Sequence, residues 1–205
     1  MLAMNAGMIN VLGLISLLHQ SVSHMTGNAS LIALSLADQD YSSVIFLVLV
    51  VISYVLGSSY SGFGNSHFQL ARRYGLPLTL VTIFILLCWL FISEYPRYAL
   101  LWACASMGIQ NAMVSHYQGA IIRTTHLSGV LTDLGLALGY FFRGLKNDPK
   151  KIILHLLILI GFITGSIVAA ISYPYLQLNA FLIPAGLSFL LSLIYWILYL
   201  RHSRI

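Results

Sequence analysis

Long apolar segments separated by short polar stretches make up almost the whole chain. Two of them, residues 3–37 and 98–142, are too long for one straight membrane-crossing helix. The second would extend about 67 Å, roughly twice the hydrocarbon thickness. The polar stretches Ser21–Asn28 and Gln118–Ser128 predict where these two segments break. The other four segments each have about the 20 residues that one crossing needs, and they are residues 44–62, 76–92, 152–171 and 178–200.

The pattern predicts an all-α integral membrane protein with six net crossings, in which each broken segment crosses once. Composition agrees, since 59% of the residues are hydrophobic and only 7% are charged, whereas soluble domains carry about 25% charged residues. The net charge of +5 does not indicate nucleic-acid binding, because the basic residues lie in short loops. With both termini in the cytoplasm, eight of the ten Lys and Arg residues fall on the cytoplasmic side, as membrane topology favours.

The first and second halves of the chain carry similar motifs in the same order. His24–Gly27 reads His-Met-Thr-Gly, and His126–Gly129, 102 residues later, reads His-Leu-Ser-Gly. Gly7–Asn10 corresponds in the same way to Gly108–Asn111, 101 residues later. We therefore divide one membrane domain into two repeats, residues 1–97 and 98–205.

The second span of each half also carries small residues four positions apart. Ser53 and Gly57 correspond to Gly161 and Gly165, 108 residues later, and such spacing lets membrane helices approach closely. Because each half makes three net crossings, the second half is inverted relative to the first. Many secondary transporters are built from such inverted repeats, with broken helices that meet near the membrane midplane. The Gly161–Gly165 face is also a candidate contact of a homodimer.

The paired motifs resemble those of the YoaK-like family, small bacterial multi-pass membrane proteins of unknown function. The family pattern resembles Gly-x-x-Asp near the start followed by Met-Thr-Gly-Asn, which is similar to Gly7–Asn10 and Met25–Asn28 here. Met107–Ala112 and Thr124–Thr132 look similar in the second half, so the resemblance covers nearly the whole chain. Asn10 stands where relatives often carry Asp. The resemblance implies a bacterial inner-membrane location and a fold, but no established activity, substrate or cofactor.

Polar side chains around the two breaks form a candidate site for a small molecule. In hydrocarbon each unpaired backbone group costs several kcal/mol, so a break persists only where it is buried in protein or lines a wet cavity. Two interpretations stay open: these side chains bind a substrate, or they only satisfy the backbone at the breaks. The candidate substrate-binding residues are Asn10, His24, Thr26, Asn28, Gln110, Asn111, His126, Ser128 and Thr132.

Asp133 is the one acidic residue inside an apolar segment, and an embedded carboxylate is usually paired or functional. We interpret it either as a cap of the helix that follows the second break or, with His126, as a proton-coupling pair. Arg123, ten residues earlier, either extends to the membrane interface or holds an anionic substrate. We expect no metal and no cofactor, because His24 and His126 are too few ligands for a metal site.

The sequence favours a small-molecule transporter or channel with its polar site at the midplane, and it leaves proton coupling open. A non-catalytic membrane assembly or stress-response protein is the alternative. A membrane-embedded enzyme is less favoured, because the chain has neither a His-Glu-x-x-His motif nor clustered acids. The expected partners are the lipid bilayer, an unidentified small molecule and, in a homodimer, a second copy of the chain.

Overall fold

The computed structural model describes residues 1–18, 20–63, 74–115 and 124–202, and in these ranges the chain forms helices and no β-strand. The prediction of an all-α protein is confirmed for this part of the chain. Arg72, Arg73 and Arg204, on which the predicted topology partly depends, lie outside it. In chain order the helices are α1 (Leu2–Ser16), α2 (Met25–Ala37), α3 (Tyr41–Phe63), α4 (Leu76–Phe91), α5 (Pro96–Val114), α6 (Leu127–Phe142), α7 (Pro149–Leu176) and α8 (Leu182–His202), with a short 3-10 helix (Gln177–Phe181) between the last two.

Polar turns set the starts of two long helices. Helix α7 begins with Pro149, whose fixed backbone angle suits the first helical position. The Asp148 carboxylate accepts a hydrogen bond from the Lys150 amide at 3.0 Å and so caps this helix. Before α3, hydrogen bonds from the side chain and the amide of Ser43 hold the pKa of Asp40 below its usual value. Both carboxylates lie in turns between apolar helices.

The first long apolar segment is interrupted, although earlier than predicted. Helix α1 ends at Ser16 and α2 begins at Met25, so the break lies between these two residues rather than at Ser21–Asn28, and His19 is outside the described residues. Helix α2 starts early because the Asn28 side chain donates to the Ser21 carbonyl oxygen at 3.3 Å, which holds the chain just before the first helical turn. Thr26 and Asn28 therefore belong to α2 and not to the break.

The second long segment is interrupted between α5 and α6. Residues 116–123 lie outside the described part of the chain, and so does Gln118, the predicted start of this break. Helix α6 begins at Leu127, which agrees with the predicted end of the break at Ser128 to within a residue or two. Ser128 and Thr132 consequently lie on α6.

The chain reverses direction at the first break and runs back along α1. Leu18 has a φ of +56°, the left-handed conformation that turns the chain after α1. Gly13 makes room for the returning segment, because a Cβ there would collide with the Val22 side chain. The Ser21 hydroxyl then reaches the Asn10 side chain at 2.8 Å. Helix α2 therefore starts close to Asn10 rather than beyond the end of α1.

Glycines bring α1 and α7 into backbone contact. A Cβ on Gly7 would collide with the carbonyl oxygen of Phe162, and one on Gly165 would collide with that of Met4. Such a close approach needs residues without a side chain on both helices. The Gly161–Gly165 face, predicted as a possible homodimer contact, therefore packs against α1 of the same chain instead.

The crossing of α3 and α5 is built in the same way. A Cβ on Gly57 would collide with the carbonyl oxygen of Ala105, and one on Gly108 would collide with that of Tyr54. The Ser58 hydroxyl donates to the Gly108 carbonyl oxygen at 3.2 Å across this contact. Helix α5 also packs against α4, which places it in the interior of the bundle.

The outer faces of the helices are apolar. Large hydrophobic side chains are exposed along α3, α7 and α8, whereas α1 and α5 contribute many of the buried ones. In water an exposed apolar surface of this extent would be unusual, but lipid-facing helices require it. By length and composition, Tyr41–Ser61 and the α7–α8 stretch Pro149–Arg201 are suited to cross a membrane. Cys88 and Cys104 are free thiols buried in the core.

We expect Gly165→Ala to weaken the packing of α1 against α7. The added methyl group would meet the Met4 carbonyl oxygen, and overpacking of this kind typically costs about 1–3 kcal/mol. Gly139→Ala on α6 is the matched control, because nothing lies within 4 Å of a Cβ at that position. Thermal unfolding in detergent should show a lower midpoint for Gly165→Ala only. Equal midpoints for the two variants would contradict the glycine crossing.

Candidate binding site between the two helix breaks

Asn10 organises the first break. Its side-chain oxygen accepts hydrogen bonds from the Ser21 hydroxyl at 2.8 Å and from the Ser23 hydroxyl at 3.1 Å, and the Ser23 amide lies 3.4 Å away. The Ser21 oxygen in turn accepts from the His24 amide at 3.1 Å. One side-chain oxygen therefore holds two serine hydroxyls and one backbone amide that the break leaves without a helical partner.

Asn111 organises the second break from the corresponding place on α5. Its side-chain oxygen accepts from the Thr124 amide at 3.0 Å and from the Thr124 hydroxyl at 2.8 Å. Its side-chain nitrogen donates to the Thr125 hydroxyl at 2.7 Å and to the Tyr54 hydroxyl at 2.9 Å. Asn111 thus joins the second break to α3 as well as to α5.

Gln110 links α1, α5 and the second break inside the protein. It is fully buried. Its side-chain oxygen accepts from the Asn5 side chain at 3.0 Å, and its nitrogen donates to the Thr124 hydroxyl and the Leu2 carbonyl oxygen, both at 3.0 Å. Both polar atoms of the Gln110 side chain are therefore used within the fold.

A cavity of about 340 Å³ lies between the two breaks, and we call it the interbreak cavity. Helices α2 and α6 both begin at this cavity, with His24 and His126 just before their first turns. Neither helix start has a side-chain cap or an acidic residue in its first turn. The lining consists of Asn10, Ser23, His24, Met25, Thr26, Tyr54, Thr125, His126, Leu127, Ser128 and Phe162.

The two imidazole rings at the cavity lie over the first turns of their own helices. A Cβ on Gly27 would be 2.7 Å from Cδ2 of His24, and a Cβ on Gly129 would be 2.8 Å from Nδ1 of His126. Glycine at these positions therefore leaves room for each ring against its helix. Both histidines are exposed, so that a ligand in the cavity can reach them.

The structure brings together five of the nine residues that the sequence suggested for substrate binding. These five line the interbreak cavity, and they are Asn10, His24, Thr26, His126 and Ser128. The other four are outside the lining and bond to neighbouring protein groups, and they are Asn28, Gln110, Asn111 and Thr132. Arg123, suggested as a charge partner or anion site, lies outside the described residues.

Sequence reasoning missed four polar or aromatic residues of the lining, which are Ser23, Thr125, Tyr54 and Phe162. A signal for them exists in the repeat. Ser23 and Thr125 directly precede the two matched histidines. Tyr54 and Phe162 are 108 residues apart, the same shift that relates the small residues of α3 and α7.

Asp133 contacts His155 of α7 rather than His126. Its Oδ2 atom lies 3.3 Å from Nε2 of His155. The pair lines a second cavity of about 330 Å³. Lys146, in the turn before α7, and Lys151, at the start of α7, line the same cavity. The pairing of Asp133 with His126 that the sequence suggested is therefore not the contact in this fold, because Asp133 lies beside α7.

The fold and this site define an all-helical membrane protein with a polar cavity between two broken helices. The chain belongs to the DUF1275 family, described as a protein of unknown function, whose family model matches residues 1–194. It is 26% identical over 184 residues to the UPF0700 transmembrane protein YoaK of Bacillus subtilis strain 168, a match that covers 85% of this chain and 82% of that relative. No solved structure matches the chain. The resemblance read from the paired motifs is thereby confirmed.

Asn10→Leu should destabilise the protein, whereas Asn10→Asp should leave the first break intact. Leucine removes the oxygen that accepts from the Ser21 and Ser23 hydroxyls, which are part-buried, so the loss for each lies toward the lower end of the about 1–3 kcal/mol that an unpaired buried group costs. Aspartate keeps that oxygen. Thr132→Val is the control, since the Thr132 hydroxyl bonds only to a carbonyl oxygen of its own helix, at 2.9 Å. If Asn10→Leu and Thr132→Val have the same thermal unfolding midpoint, this role of Asn10 is refuted.

Proposed function

We propose that the protein moves a small molecule across the membrane, as a transporter or channel, by way of the interbreak cavity. The observation that carries this proposal is that the two breaks supply the cavity lining in matched pairs. His24 and His126 are 102 residues apart, and so are Thr26 and Ser128. A polar cavity to which two related broken helices contribute equally is the arrangement typical of a transport site.

Hydrogen bonds across the helix crossings support an inverted repeat. The Ser58 hydroxyl of α3 donates to the Gly108 carbonyl oxygen of α5 at 3.2 Å, and the Ser166 hydroxyl of α7 donates to the Gly7 carbonyl oxygen of α1 at 3.4 Å. A shift of 108 residues relates the two serines, and a shift of 101 relates the two glycines. In one contact the serine belongs to the first half and the glycine to the second, and in the other contact this is reversed. A pseudo-two-fold axis that relates the two halves would produce this pair of contacts. With three net crossings in each half, that axis lies in the membrane plane.

Helix lengths support a position of the cavity near mid-depth. Phe162 lines the cavity and lies near the middle of α7. At about 1.5 Å per residue, α7 extends roughly 20 Å to either side of Phe162, and half of a hydrocarbon core measures about 15 Å. A solute in the cavity would therefore be separated from both aqueous faces by similar lengths of protein.

The proposed topology has six net crossings in the bacterial inner membrane with both termini in the cytoplasm. It places the basic turn around Lys146 and Lys151 on the cytoplasmic side, where positive loops are favoured. The second cavity, which contains Asp133 and His155, would then open toward the cytoplasm. A homodimer remains a prediction, and it would need a face other than the one that α7 presents to α1.

A non-catalytic assembly or stress-response protein is the alternative, and it needs no path through the cavity. Buried groups such as Gln110 serve the fold alone and are compatible with either function. The interbreak cavity favours transport, because its exposed imidazole and hydroxyl groups are not needed to hold the breaks.

We also propose that the protein is not an enzyme, since Asp133 bonds to His155 and so does not complete a nucleophile, base and acid arrangement with Ser128 and His126.

Cysteine accessibility tests the proposed path. Thr26→Cys and Ser128→Cys place thiols at matched positions in the cavity, while the native cysteines are buried and should not react. In vesicles of either orientation, we expect a membrane-impermeant maleimide to label each new thiol from both sides, because a transport site must be reachable from both. Leu131→Cys, an exposed position on α6 outside the cavity lining, should not be labelled in lipid. Absence of labelling at both cavity positions would indicate a dry core and refute transport.

Proton coupling is proposed at Asp133, with His155 as its contact and His126 as an ionisable group of the interbreak cavity. Asp133→Asn should abolish the response of substrate uptake to an imposed pH gradient while exchange without a gradient continues, because a carboxamide cannot carry the proton. Asp148→Asn, in the same second cavity, is the control and should keep the response. Uptake in proteoliposomes measures both. A full gradient response in Asp133→Asn would exclude coupling at this residue.

A further inference from the structure

We infer that the interbreak cavity binds a small anion, an inference that rests on the proposed transport function. Among the residues that the structure describes, the lining contains no Asp, Glu, Lys or Arg, so that none of these lining side chains repels a negative ligand or already neutralises one. The polar part of the lining consists of imidazole, hydroxyl and amide groups. The ligand class follows from which of these groups the fold has already used.

Amide oxygens at the breaks are occupied by the protein itself. Asn10 Oδ1 accepts from the two serine hydroxyls of the first break, and Asn111 Oδ1 accepts from Thr124. Two hydrogen-bond donors at the cavity remain free within the described residues. The Asn10 side-chain nitrogen makes no hydrogen bond within the described residues, and the Thr125 hydroxyl accepts from Asn111 and keeps its own hydrogen to donate. From these two groups the lining therefore offers hydrogens to a ligand.

Two helix starts add backbone donors to the same space. The first-turn amides of α2 and α6 have no helical partners, and neither helix supplies a side-chain cap or an acid there. Thr26 and Ser128 belong to these turns, and within the described part of the chain their hydroxyls make no hydrogen bond. Because the helix dipole places partial positive charge at each start, an anion in the cavity is attracted by both helices and a cation is repelled by both.

The embedded acid is held away from this space. Asp133 lies seven residues beyond His126, about 10 Å along α6. Its carboxylate is 3.3 Å from the His155 imidazole in the second cavity. The negative charge of Asp133 therefore does not balance the donors of the interbreak cavity, and a bound anion would do so.

The cavity volume admits a small molecule. About 340 Å³ is near the lower end of the range of roughly 300–1,000 Å³ that is typical of ligand pockets. Met25, Leu127 and Phe162 supply an apolar part of the lining. A small anion fits this volume, and a short-chain carboxylate and a simple inorganic anion are the two chemistries that the titration below distinguishes.

Titration of the purified protein with defined anions tests the inference. In detergent and a low-salt buffer, acetate, formate and nitrate are each titrated as sodium salts while the thermal midpoint is followed, and sodium gluconate titrated in the same way is the reference for ionic strength. We expect at least one of them to raise the midpoint in a saturable way. Acetate or formate acting without nitrate identifies a carboxylate ligand, and the reverse identifies an inorganic one. No saturable shift with any of the three would overturn the inference.

Asn10→Asp is the most informative variant. It keeps the oxygen that the first break needs and places a negative charge at the cavity, so that anion affinity should fall at least tenfold. Tyr41→Asp adds the same charge at an exposed position outside the lining and should bind like the wild type. Should Asn10→Asp not fold, Thr26→Val retains the shape of the side chain without its donor and should weaken binding at least threefold. Wild-type affinity in the folded cavity variants would overturn the inference.

The result can be separated from that of the transport proposal. If Thr26→Cys and Ser128→Cys are labelled from both sides of the membrane but no anion binds, the path stands and the ligand class is wrong. If an anion binds with the expected loss in Asn10→Asp but neither thiol is labelled, the anion site stands and the transport function is wrong.

Discussion

Broken helices persist in a membrane only when the backbone groups that they release find partners inside the protein. An unpaired amide or carbonyl group in hydrocarbon costs several kcal/mol, and this chain has two breaks. Asn10 and Asn111 contribute such partners from corresponding places on α1 and α5, because the Asn10 oxygen lies 3.4 Å from the Ser23 amide and the Asn111 oxygen accepts from the Thr124 amide at 3.0 Å. The Ser21, Ser23 and Thr124 hydroxyls also donate to these two side chains.

The glycine crossings give the two breaks a common location. Helix α1 of the first half packs against α7 of the second, and α5 of the second packs against α3 of the first, in both cases through glycines that admit backbone contact. The halves are therefore interlocked and not merely adjacent. Helices α2 and α6, which follow the two breaks, start beside each other. Polar groups that are 102 residues apart in the chain therefore line one cavity.

Polar residues near the breaks divide into two groups with different roles. Gln110, Asn111 and Asn28 use their side chains to hold the chain in place, whereas His24 and His126 are exposed at the cavity. A role in holding the fold is thus shown for the first group, and ligand binding stays a prediction for the second. For a family described only as being of unknown function, the second group is where a ligand would bind.

Apolar segment lengths and duplicated motifs were enough to predict the helices, both interruptions and the family, because these properties depend on local sequence and its repetition. The exact start of α2 was not predictable, since it depends on a hydrogen bond from Asn28 back to Ser21. Nor could the sequence show that Asp133 meets His155 while His126 lines the interbreak cavity. Seven residues along one helix bring two side chains to nearly the same face, but only the packing of α6 on α7 selects which partners they reach.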